Sequence, residues 1–194
     1  TLVEKCCHYF DLINLLARAR PARVYASGGQ ATNFLDFEKD GEVSDIEDHA
    51  FVVIDYDCGI RASFTLNMFC PDFNEELIIV GREGKLIANE NFNFQHQLPT
   101  SISLEILKGE EGVSKKSDLG YTRQIEQSGH HGSTYYEHIA FIDQLEGKAS
   151  DSATALQGLW SVVVASAAQQ SMAEGQAINI DQFIIANSLV EVLA

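Results

Sequence analysis

The 194-residue chain has the composition of a folded protein and a strongly acidic charge balance. Apolar residues make up 45% of it and charged residues 21%, which suits a packed core and excludes wholesale disorder. Its 28 acidic side chains outnumber 13 basic ones, and a formal net charge of −15 repels phosphate backbones and anionic lipids. Length and composition therefore predict a single domain over residues 1–194 that binds neither nucleic acid nor membrane.

The cysteines and the first residues of the chain indicate the cellular compartment of the protein. Four cysteines, at positions 6, 7, 58 and 70, have neither the density nor the spacing of a disulfide scaffold. No apolar run approaches the roughly 20 residues that span a bilayer, and the first residues contain no signal-peptide core. We expect a cytoplasmic protein. Because Thr1 leads almost directly into a helical pattern, we also expect that an upstream segment has been removed.

The first third of the chain predicts a helix followed by a strand. Residues 2–17 have a period near 3.6, with an apolar stripe of Leu2, Cys6, Ile13 and Leu16 and a polar stripe of Glu4, His8 and Asp11. Pro21 ends this helix, and residues 23–28 form a strand that runs into Gly28 and Gly29. The acidic stretch 31–48 is interpreted as a surface loop.

The middle of the chain predicts an antiparallel meander. Residues 49–56 and 60–68 flank a short connection at 57–59 that contains a glycine, as in a β-hairpin. Further alternating or apolar runs lie at 76–80, 85–88 and 101–107. Alternation leaves one polar strand face, which is either wet or met by a polar partner such as a second subunit. That face carries Arg61, Ser63, Thr65 and Asn67.

The last third predicts two helices and a short strand, so the fold class is α+β. Ser133 is the expected N-cap of a helix with an apolar stripe at Tyr135, Ile139, Ile142 and Leu145. A second helix, from about 152 to 174, is small and apolar, and its run 159–168 should be buried on most sides. Residues 177–180 form a final strand, and the segment from Gln182 onward fits a helix or a strand equally well.

Few residues suggest chemistry by spacing alone. Glu4 and His8 are four apart on the predicted helix, so a carboxylate lies beside an imidazole that can move a proton near neutral pH. The alternative is an ordinary solvated helix face, which this spacing does not exclude. Cys6, Cys7 and His8 cannot converge on one metal ion, because consecutive helical residues point about 100° apart.

Two further groups have open interpretations. His130 and His131 lie between glycines before a helix, where they line a substrate cleft, bind a metal or belong to a solvated loop. Tyr135, one turn later, either projects into a cleft or packs against its neighbours. The sequence contains no G-x-G-x-x-G motif, P-loop, G-x-S-x-G motif or paired C-x-x-C.

Taken together, several segments resemble the C-terminal domain of the Gfo/Idh/MocA oxidoreductases, including members of the inositol dehydrogenase and glucose-fructose oxidoreductase types. The resemblance covers nearly all of the chain up to about Ile180. The segments are VEKCCHYFDLINLL, RPARVYASGGQ, DHAFVVIDYDCGIRASFTLNMF, IIVGREGKLIA and GSTYYEHIAFIDQLEGKAS.

The resemblance implies an α+β domain with a large, open, mostly antiparallel sheet and helices packed on one of its faces. Subunits associate into homo-oligomers through the open face of this sheet. It also implies an N-terminal Rossmann domain, absent from this chain, that binds NAD or NADP. In inositol-dehydrogenase-like members, an acid and a histidine four residues apart on the first helix of this domain contact the substrate hydroxyls, and the histidine transfers the proton. These positions match Glu4 and His8, with Glu replacing the more usual Asp.

The resemblance implies a dehydrogenase acting on a CH–OH group of a sugar, inositol or related polyol, inactive without its nucleotide-binding half. Asp11, His130, His131 and Tyr135 are the expected substrate-binding residues, with a role in structure or ring orientation as the alternative for Asp11, and no metal is expected. One alternative is a non-catalytic module for self-association or regulation. Another is a hydrolase or isomerase that works alone from Glu4 and His8.

Overall fold

A computed structural model of the chain describes residues 1–93, 100–109, 112–150 and 152–193. Contacts divide the chain into two compact units. The first unit comprises Thr1–Phe69 with Ala153–Ala194, and the second comprises Cys70–Ser152. Antiparallel sheets and helices confirm the predicted α+β class. The single domain expected from chain length stays a prediction.

The helices and strands follow the sequence in a simple order. The helices are α1 (Cys7–Ala17), α2 (Arg123–Glu126), α3 (Ser133–Leu145), α4 (Ala155–Glu174) and α5 (Ile180–Ala186). The strands are β1 (Pro21–Gly29), β2 (Glu38–Lys39), β3 (Glu42–Val43), β4 (His49–Tyr56), β5 (Arg61–Asn67), β6 (Asp72–Gly81), β7 (Gly84–Asn93), β8 (Ser101–Lys108), β9 (Val113–Leu119) and β10 (Ile178–Asn179). The undecided C-terminal segment therefore begins as a helix, α5.

The first unit is built on a four-stranded antiparallel sheet in the order β10-β1-β4-β5. Side chains alternate between its two faces, and one face, the inner face, is buried together with residues of α1 and α4. The predicted hairpin is confirmed, since β4 pairs with β5 from His49↔Asn67 to Asp55↔Arg61. Inner-face residues buried in the core are Val24, Ala26, Ala50, Val52, Ile54 and Tyr56.

Small residues bring α4 close to β1. Five of its residues, Val163, Val164, Ala165, Ala167 and Ala168, are buried in the core, as predicted from their size. Ser171 also joins the two elements, because its hydroxyl accepts the backbone N–H of Ala26 at 2.9 Å. A Cβ on Gly28 would lie 2.5 Å from the carbonyl oxygen of His49 and 2.9 Å from the sulfur of Met172, so this position requires glycine.

Helix α1 differs from its prediction at its start and in its buried stripe. It begins at Cys7, after a separate turn in which Lys5 N–H donates to the Thr1 carbonyl at 2.9 Å. Leu2, Cys6 and Phe10 are fully or almost fully buried, whereas Leu16 is 42% exposed. Leu16 was placed on the same apolar stripe as Leu2 and Cys6, but it lies outside the buried face because six helical residues rotate it about 120° away from Phe10.

The segment predicted as a surface loop, residues 31–48, contains the β2–β3 ribbon and ends at a fully buried carboxylate. Asp48 accepts backbone N–H groups from Ala31, Thr32 and Asn33, at 2.7 to 3.2 Å. The Nδ1 of His49 also donates to Asp48, at 2.8 Å. Burial raises the pKa of Asp48, but the hydrogen bonds from His49, Thr32, Asn33 and Ala31 outweigh it and hold this pKa well below its usual range.

The second unit is a four-stranded antiparallel meander, β6-β7-β8-β9, with α2 and α3 in its C-terminal part. The predicted strands at 76–80, 85–88 and 101–107 are all present. The N-cap of α3 is Gly132 rather than the predicted Ser133, because Gly132 has a φ of 103° that a serine adopts poorly. Among the described residues of the whole chain, no helix is long and apolar enough to cross a membrane.

The orientation of α1 predicts a contrast between two substitutions. Phe10→Ala removes a fully buried ring and should lower the free energy of unfolding by about 3 to 5 kcal/mol. Leu16→Ala, on the exposed face, should cost less than about 1 kcal/mol. Denaturant unfolding measures both changes. Equal losses would contradict the orientation of α1.

The hydrogen bonds to the buried Asp48 carboxylate predict an acid-dependent loss of stability. Its pKa is lower in the folded than in the unfolded state, so its contribution is complete above the unfolded value of about 3.9 and is lost as pH falls below it. Asp48→Asn replaces one acceptor oxygen with a donor and should lower the melting temperature at pH 7 by about 5 °C. The exposed Asp45→Asn is the matched control. Melting curves that match the wild type at pH 7 would overturn this assignment.

Candidate functional site

His8 lies on the exposed side of α1, in its first turn. Its ring centroid is 4.3 Å from that of Tyr9, which stacks on Phe64 of β5 at 5.4 Å. Phe10 meets the same Phe64 ring edge-on at 5.2 Å. This aromatic cluster holds α1 against β5, so that the imidazole of His8 is presented by a rigid helix turn to its surroundings.

Glu4 is not on the same helix as His8. It lies exposed in the turn before α1, and Cys6 separates that turn from the helix. The helical four-residue spacing therefore does not set the distance between the Glu4 carboxylate and the His8 imidazole. The pairing of these two side chains stays a prediction.

Asp11, one turn after His8, is half-buried and lines an open groove of about 480 Å³ in the first unit. Residues 8, 11 and 15 follow one face of α1, so the helix leads from His8 into this groove. The groove is lined by Asp11, Asn14, Leu15, Arg18, Ala19, Arg20, Pro21, Gln157 and Trp160.

Two walls of the groove are fixed by polar contacts. Tyr56 donates to Asn14 Oδ1 at 2.7 Å, and burial raises the pKa of Tyr56 above its usual range, so the phenol stays a donor. The guanidinium of Arg20 lies 5.3 Å from the centre of the Trp160 ring and forms an ion pair with Asp181 at 2.5 Å. Asn14 and Arg20 are thereby held in place.

The remaining predicted site residues lie in the second unit. His130 is exposed in a 3-10 turn that precedes α3, and the side chain of His131 lies outside the part of the chain that the structure describes. Tyr135 is exposed in the first turn of α3, and its ring meets Tyr136 edge-on at 5.3 Å. A Cβ on Gly132 would lie 2.9 Å from the ring of Tyr121, so that ring packs over the turn. That these residues share a cleft with His8 stays a prediction.

The histidine with a carboxylate partner is one that the sequence analysis did not single out. His49 is 31% exposed, and the buried Asp48 orients its ring through Nδ1, which leaves Nε2 for another partner. The sequence signal for this histidine was the adjacent Asp48–His49 pair, at the end of a segment interpreted as a loop. The contacts that bury Asp48 come from residues 15 to 17 positions earlier, which local pattern does not reveal.

A metal ion or a dinucleotide would each require a particular arrangement of side chains or strands. Within residues 1–93, 100–109, 112–150 and 152–193, no three His, Cys, Asp or Glu side chains converge as metal ligands. The sequence lacks the G-x-G-x-x-G motif, and every strand pair in the described sheets is antiparallel, unlike the βαβ unit that binds a pyrophosphate. The described residues therefore contain no βαβ dinucleotide-binding unit.

Solved structures with the same fold are numerous and distant in sequence. A super-repressor mutant of Gal80p from Saccharomyces cerevisiae is 12% identical and aligns over 94% of this chain and 50% of its own, with a TM-score of 0.67. A levoglucosan dehydrogenase in complex with NADH and levoglucosan is 16% identical over 92% of this chain and 49% of its own, with a TM-score of 0.65. An oxidoreductase from Agrobacterium radiobacter, in complex with NAD+, L-tartaric acid and magnesium, is 17% identical over 92% and 48%, with a TM-score of 0.64.

These likenesses show a shared fold, and the chain spans about half the length of each of these proteins. No curated protein sequence matches the chain. The family model described as "Oxidoreductase family, C-terminal alpha/beta domain" matches residues 1–180. The chain therefore belongs to the Gfo/Idh/MocA oxidoreductase family and corresponds to its C-terminal α/β domain.

Proposed function

We propose that this chain is the substrate-binding half of an NAD(P)-dependent dehydrogenase that oxidises a CH–OH group of a sugar, inositol or related polyol. The observation that carries the proposal is the exposed imidazole of His8, supported by the aromatic cluster, on the helix face that leads into the groove at Asp11. Family membership supports oxidoreductase chemistry. Two neighbours with this fold were crystallised with NAD+ or NADH, one of them with levoglucosan.

The division of labour follows from what the chain contains. A nicotinamide, bound by a separate nucleotide-binding domain, would accept the hydride. His8 would take the proton from the substrate hydroxyl, because a neutral imidazole on a fixed helix turn is a suitable base near pH 7. Asp11, one turn further, would accept a hydrogen bond from a neighbouring hydroxyl.

The other predicted residues take secondary roles in this proposal. Glu4, in the turn before α1, would bind a hydroxyl or orient His8. His130, His131 and Tyr135 would bind the substrate. Without the nucleotide-binding domain the chain would be inactive. We place the protein in a reducing cytoplasm, in agreement with its free cysteines and with burial that raises the pKa of the Cys6 thiol to about 11.

The proposal predicts that His8→Ala, in the complete dehydrogenase, lowers kcat by about 10²-fold or more, because the imidazole that would take the proton is removed. The value of kcat/KM should fall by a similar factor. His138→Ala, which removes an exposed helical histidine bonded to the Thr134 carbonyl, is the matched control and should leave both unchanged. Unaltered turnover in His8→Ala would sink the assignment of His8.

A second candidate function, self-association, is favoured by the solvent-exposed outer face of the first unit's sheet. Four cross-strand rows form it, and partners in a row lie on the same side of the sheet. The rows are Arg23–Asp55–Arg61, Tyr25–Val53–Ser63, Ser27–Phe51–Thr65 and Gly29–His49–Asn67. The predicted polar residues of β5 are exposed here, but so are Tyr25, Phe51 and Val53.

The charge of this outer face suits a second copy of the chain. Asp55 is its only acidic residue, and its carboxylate is bridged to Arg23 at 2.6 Å and to Arg61 at 3.2 Å. In a chain with a net charge of −15, two such faces meet with less repulsion than other surfaces. Exposed aromatic and aliphatic side chains at its centre supply the apolar contact. We propose that the protein forms a homodimer through this face.

Sedimentation at micromolar concentration tests the dimer. Phe51→Glu places a charge at the centre of the outer face and should convert the dimer to monomer, a shift of about tenfold or more in the association constant. Leu16→Glu is the matched control. Leu16 lies on α1, which covers the other face of the sheet, so this substitution should leave the dimer intact. A wild-type protein that sediments as a monomer would remove this second function.

A further inference from the structure

Arg18 is the one cation of the groove that the first unit leaves without an ion-pair partner. The groove contains two arginines, and Arg20 is already held by Asp181 and Trp160. Arg18 is the C-cap of α1, with a φ of 49°, and its backbone N–H donates to the Asn14 carbonyl at 3.0 Å. Its side chain is exposed, and no ion pair to it is found among the described residues.

The distribution of charge makes an unpaired arginine in this groove unusual. Three arginines lie within residues 18–23, in a chain that has 13 basic side chains against 28 acidic ones. Arg23 is used by Asp55 on the outer face of the sheet. A guanidinium presents several N–H donors in a fork that matches carboxylate and phosphate oxygens. Charge complementarity therefore favours an oxyanion in the groove.

Other residues of the groove suit the rest of such a ligand. Asp11 offers acceptor oxygens to hydroxyl groups, and the indole of Trp160 offers an apolar surface to a sugar ring. The Nδ2 of Asn14, another residue of the groove, is a buried donor with no acceptor among the described residues. Arg18, the C-cap of α1, follows Asp11 by seven residues, about 10 Å along the helix axis, which is comparable with a hexose that carries an oxyanion at one end.

We infer that the groove binds a hydroxylated substrate through an oxyanion, a carboxylate or a phosphate, with Arg18 as the residue that holds it. The inference rests on the proposed function, because Asp11 belongs both to the groove and to the predicted substrate contacts. It adds a substrate class, since neutral polyols lack the group that Arg18 recognises. Arg18 is a binding residue in this account and takes no part in proton transfer.

Trp160 makes the inference directly measurable, because it is the single tryptophan of the chain and lines the groove. The probes are glucuronate, glucose 6-phosphate and glucose, titrated against the intrinsic fluorescence of the chain. We expect saturable binding of at least one anionic sugar with a Kd of about 1 mM or tighter, and binding of glucose weaker by about tenfold or more. Which anion binds distinguishes a carboxylate from a phosphate as the group held.

The variants separate Arg18 from general charge effects. Arg18→Gln should weaken the anionic sugar by about tenfold or more and leave glucose unchanged. Arg82→Gln removes the same charge from the exposed turn between β6 and β7 and should leave all three titrations unchanged. Matching thermal melts show that both variants are folded. No saturable binding of either anion, equal binding of glucose, or unchanged affinity in Arg18→Gln would each overturn the inference.

The outcome of these titrations is independent of the test of the proposed function. They measure binding without turnover, so they do not depend on His8 or on a nicotinamide. If the anionic sugar binds and His8→Ala keeps full activity in the complete dehydrogenase, the groove stands and the catalytic assignment falls. If His8→Ala is inactive and Arg18→Gln binds like the wild type, the reverse holds.

Discussion

The packing of α1 against the inner face of the first unit's sheet is the contact on which the rest of the account depends. Phe10 is fully buried against Phe64, and Leu2 and Cys6 extend the same contact into the turn before the helix. Because an α-helix has one rotational setting once its buried stripe is fixed, the opposite face of α1 points outward. That side carries His8 and Asp11 and leads to Arg18 at the C-cap, and these are the residues proposed for proton transfer and substrate binding.

The parts of the fold that local pattern could predict are those where periodicity and burial agree. Alternation at 49–56 and 60–68 was enough for the β4–β5 hairpin, and small apolar residues were enough for the buried helix α4. Asp48 could not be predicted, because an acidic residue in an acidic segment is usually solvated and its burial depends on backbone donors far back in the chain. The groove was equally hidden, since it joins the end of α1 to Trp160 across more than 140 positions.

The candidate site was predicted mainly by resemblance rather than by geometry. The spacing predicted that Glu4 lies beside His8, but the structure places Glu4 in a separate turn. The proposed site therefore rests on His8 and Asp11 rather than on the Glu4–His8 pair. The groove adds a cation to a site that had been described only by acids, histidines and a tyrosine. In a chain this acidic, the exposed guanidinium of Arg18 supports the inference of an anionic substrate.

The central claim is that this chain holds the substrate while a separate domain holds the nicotinamide. The most direct test compares nicotinamide-linked oxidation of a panel of inositols, neutral sugars and anionic sugars by this chain and by the same protein with a nucleotide-binding segment restored upstream. The account predicts turnover only in the longer protein, lost in its His8→Ala variant. Turnover by the isolated chain without a nicotinamide, or no turnover in either form, would contradict it.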